Sequence, residues 1–507
     1  MDKHLAKLKI LIVVAELSPF SNVGGLARGT RSLAKSLSNF GHDVRIITPF
    51  HGCAIDYLQK NQMSSTTKEI DTILLKSDLL KTKTSFSISL REYTVETETH
   101  RTYFVDYPDF FSLRSNVYGY DDDDQRFYLF SQACLEWLLR LKEQSWVPDI
   151  IQCHDWHTGY FVDLLKNNDI YQTLKKIPIL YTVHNFKYQH QSKFQFMDEV
   201  DVDMAESPLG SINSTILKKQ NGLIRGMIFA DYVNTVSPTH SREIQTPEYA
   251  YNLNKVIIKV RNKLSGILNG LDYNEFQPSQ DVEIKYHFDQ SNFIAQRRKN
   301  KKYLRNLFSL PDVNDAPLFT YVGRMTSQKG LELLFEVMSK IMTKYPTYQL
   351  VGLGDGEDHY CELFWELKKR YPLQVRVKLT HDKDLPRQIF AASDITLVPS
   401  NFEPGGIVAL ESLRYGSIPI VRRTGGLNDI ITDFRIRDLT GNGFSFLHKN
   451  KREFQSIIEQ AVSIYQNDRE VWNHLTTNCL LYRRTWDDAA KEYENLFSKI
   501  ISLRSNL

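Results

Sequence analysis

Cysteine is scarce in this sequence. The 507 residues hold 5, at Cys53, Cys134, Cys153, Cys361 and Cys479. None forms a C-x-x-C pair, so neither a disulfide framework nor a zinc site is indicated, and a reducing compartment is expected. An excess of one charge is also lacking. Lys and Arg total 63 against 60 Asp and Glu, a net charge of +3, so there is no nucleic-acid footprint. Long apolar runs are missing as well. The longest near the start, residues 10–15, falls far short of the ~18 residues that span a bilayer. Lys3, Lys7 and Lys9 precede it as in a secretory leader, yet Glu16 stands where a small-residue cleavage site belongs. The run therefore reads as a buried strand, and the expectation is a cytoplasmic chain without a membrane span.

What the sequence does have is alternation. Short, largely apolar runs at 9–14, 43–48, 150–153, 179–183 and 232–236 recur with longer segments of helical periodicity, such as 27–40 and 127–141. A second series follows at 318–322, 348–351, 375–379, 395–398 and 418–421, with a helical segment at 331–344. Runs this apolar fit parallel strands buried on both faces. Strand–helix repetition of this kind builds a doubly wound parallel sheet. The fold class is therefore α/β with two Rossmann-like sheets, and a turn-rich linker falls near 266–280. The acidic tetrad 121–124 and the basic run 299–302 read as solvated surface. Two such domains facing each other would define a cleft, and ligands of these sheets sit beyond the carboxyl ends of the strands.

The motifs lie at those ends. Gly24 and Gly25 follow the first strand and open a helix, as either a tight turn or an anion cradle. After the strand 318–322 come Arg324 and Lys329-Gly330, two cations flanking a turn. Such a pair suits a departing diphosphate; at ~4 Å a unit charge pair is worth roughly 4 kcal/mol at an effective dielectric of 20. Gly352, Gly354 and Gly356 match a dinucleotide fingerprint only partly and read as a turn. Glu403, Gly405 and Gly406 precede the helix near 408–415, with Glu411 two turns further on; one carboxylate suits a sugar hydroxyl and the other a ribose. Thr424, Gly425 and Gly426 form a similar glycine-opened turn. His154, Asp155 and His157 end one strand and His184 another. Two histidines and an aspartate raise metal binding, but no third spaced ligand is evident, so polar contacts to a sugar are favoured.

Taken in order, these pieces resemble the bacterial and plant glycogen/starch synthases, retaining glucosyltransferases of the two-Rossmann-domain (GT-B) type. The resemblance spans nearly the whole chain. It includes Val23-Gly-Gly-Leu26, Tyr118-Gly-Tyr with the acidic stretch to Arg126-Phe127, His154-Asp-Trp-His157 and Thr182-Val-His-Asn185. It continues through Thr235-Val-Ser-Pro-Thr239, Gly266-Ile-Leu-Asn-Gly-Leu-Asp272, Gln328-Lys-Gly330, Phe402-Glu-Pro404, Arg414-Tyr-Gly416, Arg422-Arg-Thr-Gly-Gly-Leu427 and Thr485-Trp-Asp487.

The resemblance implies transfer of glucose from a nucleotide diphosphate glucose, ADP-glucose ahead of UDP-glucose, to the non-reducing end of an α-1,4-glucan, with no metal and no other cofactor. It implies an acceptor-side domain over 1–268, a donor domain over 269–487 and a terminal helix, 488–507, crossing back to the first. In these roles Arg324 and Lys329 neutralise the diphosphate and Glu403 binds the glucose hydroxyls. Gly405 and Gly406 meet the donor glucose and phosphate, His184 sits beside the anomeric carbon, and Asn269 contacts the donor from the hinge. Thr424, Gly425 and Gly426 meet the phosphates, while His154, Asp155 and His157 shape the acceptor-side wall.

The sequence departs from the family pattern at four positions. Asn22 replaces a lysine, Arg28 an aspartate and His381 a base-stacking tyrosine; Glu411 restores the E-x7-E spacing of the wider retaining GT-B families. Two alternatives follow: a GT-B transferase with another acceptor, or a homologue that binds glucan or nucleotide without turnover. Oligomeric state is not encoded in any of these features.

Overall fold

The computed structural model describes residues 7–76, 85–94, 99–189 and 203–505. Within them the chain divides into two compact units. One takes in the chain up to Val236, Ser241–Ile267 and the chain from Trp486; the other comprises Ser237–His240 and Leu268–Thr485.

The first unit is built on strands β1 (Lys9–Val13), β2 (Asp43–Pro49), β3 (Thr67–Leu75), β4 (Phe86–Tyr93), β5 (Arg101–Asp106), β6 (Ile150–His154), β7 (Ile179–Val183), β8 (Tyr232–Thr235) and β9 (Leu264–Gly266). Their order is β3-β4-β5-β2-β1-β6-β7-β8-β9. β1 is central, with Ile10 in register with Val44 on one side and Ile150 on the other. It is buried on both faces, which is why residues 10–13 are uniformly apolar. Pairing is parallel except for β3–β4 and β4–β5 at one edge. The helix Trp486–Ser505 packs on this unit: Ala490, Tyr493, Leu496, Phe497 and Ile500 are buried in one cluster with Ile10, Ile12, Leu33 and Leu37. Tyr493 OH accepts a hydrogen bond of 3.1 Å from Asn234 Nδ2.

The second unit carries β10 (Leu318–Val322), β11 (Gln349–Gly354), β12 (Val375–Leu379), β13 (Ile395–Val398), β14 (Ile418–Arg422) and β15 (Phe444–Phe446), in the order β12-β11-β10-β13-β14-β15. Every neighbouring pair is parallel. The short Ser237–His240 segment groups here because Thr239 is held by Asp429, through Thr239 N to Oδ2 at 2.9 Å and Thr239 Oγ1 to Oδ1 at 2.6 Å.

The two sheets are the expected α/β architecture. The acidic tetrad is not the solvated surface expected of it. Asp123 and Asp124 are buried; Asp123 pairs with the buried Arg126 and accepts from Gly119 N at 2.8 Å. A run of like charge is read as solvated only when its cationic partner, here three residues on, is overlooked. All five cysteines are unpaired. Among the described residues no helix is long and apolar enough to cross a membrane.

Candidate active site

In the second unit the strand order reverses between β10 and β13. The loops leaving the carboxyl ends of these two strands are where a doubly wound sheet binds ligands. The β10 loop passes through the turn Ser327–Lys329 to Gly330, which adopts φ +64° and starts the helix Leu331–Lys344. A Cβ on Gly330 would lie 2.0 Å from the Pro399 carbonyl oxygen, so only glycine lets the β10 loop lie against the β13 loop. The loops are then stitched together. Asn401 N donates to Gln328 O at 2.8 Å, Asn401 Nδ2 to Ser327 O at 2.6 Å, and Gln328 Nε2 to Phe402 O at 3.3 Å.

This stitching sets Lys329 Nζ 2.5 Å from Glu403 Oε2, across the switch point. Ser400 Oγ donates to the same oxygen at 3.0 Å. Arg324 is exposed on the same loop, and its carbonyl accepts from Tyr321 OH at 2.7 Å. Burial holds the Tyr321 hydroxyl well above its usual pKa; Glu403 adds to the rise and Arg324 opposes it, so both charges act on one buried oxygen. Lys329 and Glu403 are therefore paired, with Arg324 on the same loop as Lys329.

The β14 loop closes on the other side of Glu403. Gly425, at φ +46°, has room for no side chain: a Cβ there would lie 2.1 Å from Glu403 O. Gly426 N donates to Glu403 O at 2.9 Å and to Pro404 O at 3.1 Å, so this amide is engaged within the protein. Thr424 Oγ1 is buried with no hydrogen-bond partner among the described residues. Gly405 and Gly406 are buried ahead of the helix Ile407–Arg414, in which Glu411 is buried. Asn269 is buried just inside the second unit, and His381 is exposed in the turn after β12. Gly354 and Gly356 lie on the β10 loop, and Gly356 bridges Met325. The partial fingerprint is thus a seat for that loop.

In the first unit the order reverses between β1 and β6. Asp155 follows β6 at φ +55°, a strained position for a residue with a side chain. Its Oδ1 accepts from His184 N at 2.7 Å. Burial pushes the Asp155 carboxyl up to about 7, against the lowering effect of that hydrogen bond, and the charge of Glu16 adds to the rise. His154 Nδ1 and His184 Nε2 lie 3.0 Å apart. Burial draws His184 down to about 4 and holds His154 well below its usual value, so both imidazoles are neutral at pH 7. His157 instead stacks on Tyr118, ring centroids 4.6 Å apart. His154 and Asp155 are thus turned toward His184. Among the described residues no group of three or more His, Cys, Asp or Glu is arranged to hold a metal ion.

Gly24 and Gly25 lie at the start of the helix Gly25–Asn39, with Arg28 exposed in its first turn. The turn before this helix meets a carboxylate of the chain itself: Glu16 Oε2 accepts from Val23 N at 2.7 Å. The sequence reading treated Glu16 only as the residue that ends the apolar run. An acid in the loop between a strand and a glycine-opened helix was the available signal.

Two Rossmann-like sheets with their polar loops at the carboxyl ends beside each switch point define the GT-B class of glycosyltransferases. Sucrose-phosphate synthase from Thermosynechococcus elongatus shares this fold, with a TM-score of 0.57 at 16% identity over 98% of this chain and 100% of that one. A much nearer match is the catalytic domain of starch synthase IV from Arabidopsis thaliana, solved bound to ADP and acarbose. Its TM-score is 0.82 at 29% identity, over 98% of this chain and 100% of that one. The starch synthase catalytic domain family matches residues 9–259, and the glycosyl transferases group 1 family matches 305–475. The glycogen synthase of Desulforamulus reducens is 34% identical over 97% of this chain and 99% of its own; that of Clostridium beijerinckii is 35% identical over 97% and 99%. The chain belongs to the glycogen/starch synthase family, and it is a glucosyltransferase of that type.

Proposed function

We propose that this enzyme transfers glucose, with retention of the anomeric configuration, from ADP-glucose to the 4-hydroxyl at the non-reducing end of an α-1,4-glucan, and that it does so in the cytoplasm. The observation that carries the reading is the Lys329–Glu403 pair across the β10/β13 switch point, 2.5 Å between Nζ and Oε2. An ammonium has three N–H donors, so Lys329 can hold Glu403 with one and offer the others to a diphosphate. Glu403, with one oxygen fixed by Lys329 and Ser400, keeps the other for the glucose hydroxyls. Arg324 adds the second positive charge to the leaving group.

In the step itself the C1–O bond to the diphosphate breaks and a bond from C1 to the acceptor O4 forms on the same face of the sugar. The acceptor proton passes to a diphosphate oxygen. The chain supplies electrostatic preorganisation and positioning rather than a covalent nucleophile. His184, neutral and held through its backbone by Asp155, is assigned to the anomeric centre; His154 and Asp155 support it. Asn269, Gly405, Gly406 and Thr424–Gly426 are assigned to the donor, Glu411 to the ribose and His381 to the base.

The solved relative bound to ADP and acarbose supports an adenine nucleotide and a glucan-like acceptor. The exposed His381, in place of a tyrosine, makes UDP-glucose the second donor to test. The experiment incubates the protein with radiolabelled ADP-glucose or UDP-glucose and glycogen, then precipitates the polymer. Label in polymer from ADP-glucose is the expected result. Label only in small products would favour a different acceptor, and nucleotide binding without turnover would overturn the reading. Activity is expected to survive EDTA, because Arg324 and Lys329 carry the charge; strict dependence on an added metal would overturn that assignment.

A further inference from the structure

We propose that Glu16 is a positioning residue for glucosyl transfer, holding the turn 22–25 in its working shape through that turn's backbone amides. This rests on the function proposed above, in which the first unit presents the acceptor.

Glu16 is only 2% exposed, and one of its oxygens is taken by the backbone of the turn, so its part is to position. Its Oε2 accepts from Val23 N at 2.7 Å, and a Cβ at Gly24 would stand 3.8 Å from Oε1; the backbone of Gly24 and Ala27 also favours its ionised form. The residue before it is clamped from the other side: His51 Nε2 donates to Ala15 O at 2.9 Å. His51 is buried, which draws its pKa down to about 3, so the ring is neutral and the carbonyl fixes its Nε2–H tautomer. Glu16 and Asp155 thus do parallel work. Each is a buried carboxyl bonded to the backbone of a turn carrying an expected substrate contact, Glu16 at 22–25 and Asp155 at His184.

The ionisable groups facing Glu16 are Arg28 on the helix it caps, Cys53 on the helix Gly52–Lys60, Tyr118, and Asp155 beyond β6. Arg28 is the one cation in this set. Burial lifts Glu16 to about 7, against the lowering effect of the amides and of Arg28. Its charge in turn adds to the rise at Asp155. An ionised Glu16 accepts the Val23 amide more strongly than the neutral carboxyl would, so as pH falls through 7 the turn's anchor weakens.

The test compares wild type with Glu16→Gln and Glu16→Asp. It measures kcat, KM for donor and for glycogen, the pH profile from 5.5 to 9, and amide hydrogen exchange at Val23 and Gly24. Gln is expected to lower kcat by ~10-fold or more, as a displaced positioning group does, with the donor KM unchanged. Its acid limb should move down by about half a pH unit or more, because Asp155 loses a like-charged neighbour. Asp keeps the charge, so its acid limb should stay in place even where kcat falls. A Gln variant with wild-type kcat and an unmoved acid limb overturns the proposal, as does a loss of rate matched by loss of folded protein with the limb unmoved. Hydrogen exchange separates this claim from the functional reading. Lost protection at Val23 and Gly24 in the Gln variant supports the contact whatever the substrate, and unchanged protection overturns it.

Discussion

Lys329 works through its place on a turn. Its ammonium reaches Glu403 because Gly330 lets the β10 loop press on Pro399 and because Asn401 binds Ser327 and Gln328. Lys329→Ala is expected to lower kcat about 100-fold or more, the size of effect seen when one preorganised transition-state donor is removed. Labelled glucose incorporation into glycogen measures it; an unchanged rate would take Lys329 out of the mechanism. At this scale the sequence offered candidate side chains and said little about what they touch. Lys329 and Glu403 were recognisable from motifs 74 residues apart, yet their direct pairing depends on β10 and β13 being neighbours, which no local pattern encodes. Gly24 and Gly25 were read as either a tight turn or an anion cradle, and the carboxylate of Glu16, seven residues before Val23, takes the amide just ahead of them.

Among the elements, the ten runs read as strands are all strands, with ends shifted by a few residues at most. Most of these are strands whose burial on both faces makes them largely apolar, as in β1, β6, β7 and β13. Of the five left unread, β3, β4, β5, β9 and β15, three have a different pattern. β3 is largely polar, with Lys68, Glu69 and Ile70 all exposed, because it is the edge strand of an antiparallel pair; β9 and β15 are three residues long. The glycine turns were legible as turns, but their reason was not: they let one loop's backbone meet another's. Gly330→Ala tests this. A left-handed conformation costs an alanine about 1–2 kcal/mol, and the methyl must also displace Pro399. The variant should melt at a lower temperature and lose about 100-fold in kcat, since a shift of ~1 Å in the β13 loop separates Lys329 from Glu403. A calorimetric scan and the same labelling assay check the two halves independently.

For the molecule as a whole, the last helix lies on the face of the first unit bearing Ile10, Ile12 and Leu33. Phe497 is fully buried there. Phe497→Ala is expected to cost about 3–5 kcal/mol, the usual range for an aromatic removed from a packed core. Urea titration would show the loss as a lower midpoint; a shift below 1 kcal/mol would mean that this helix is dispensable to the fold.

Residues 268–485 interrupt the sequence of the first unit, whose core is finished only by Trp486, Tyr493 and Phe497. Translation therefore delivers β1 long before its last packing partners. At roughly 5–20 residues per second, the ribosome takes on the order of half a minute to a minute and a half to make the intervening chain. During that interval the greasy surface that the helix Trp486–Ser505 covers stays open on the nascent polypeptide.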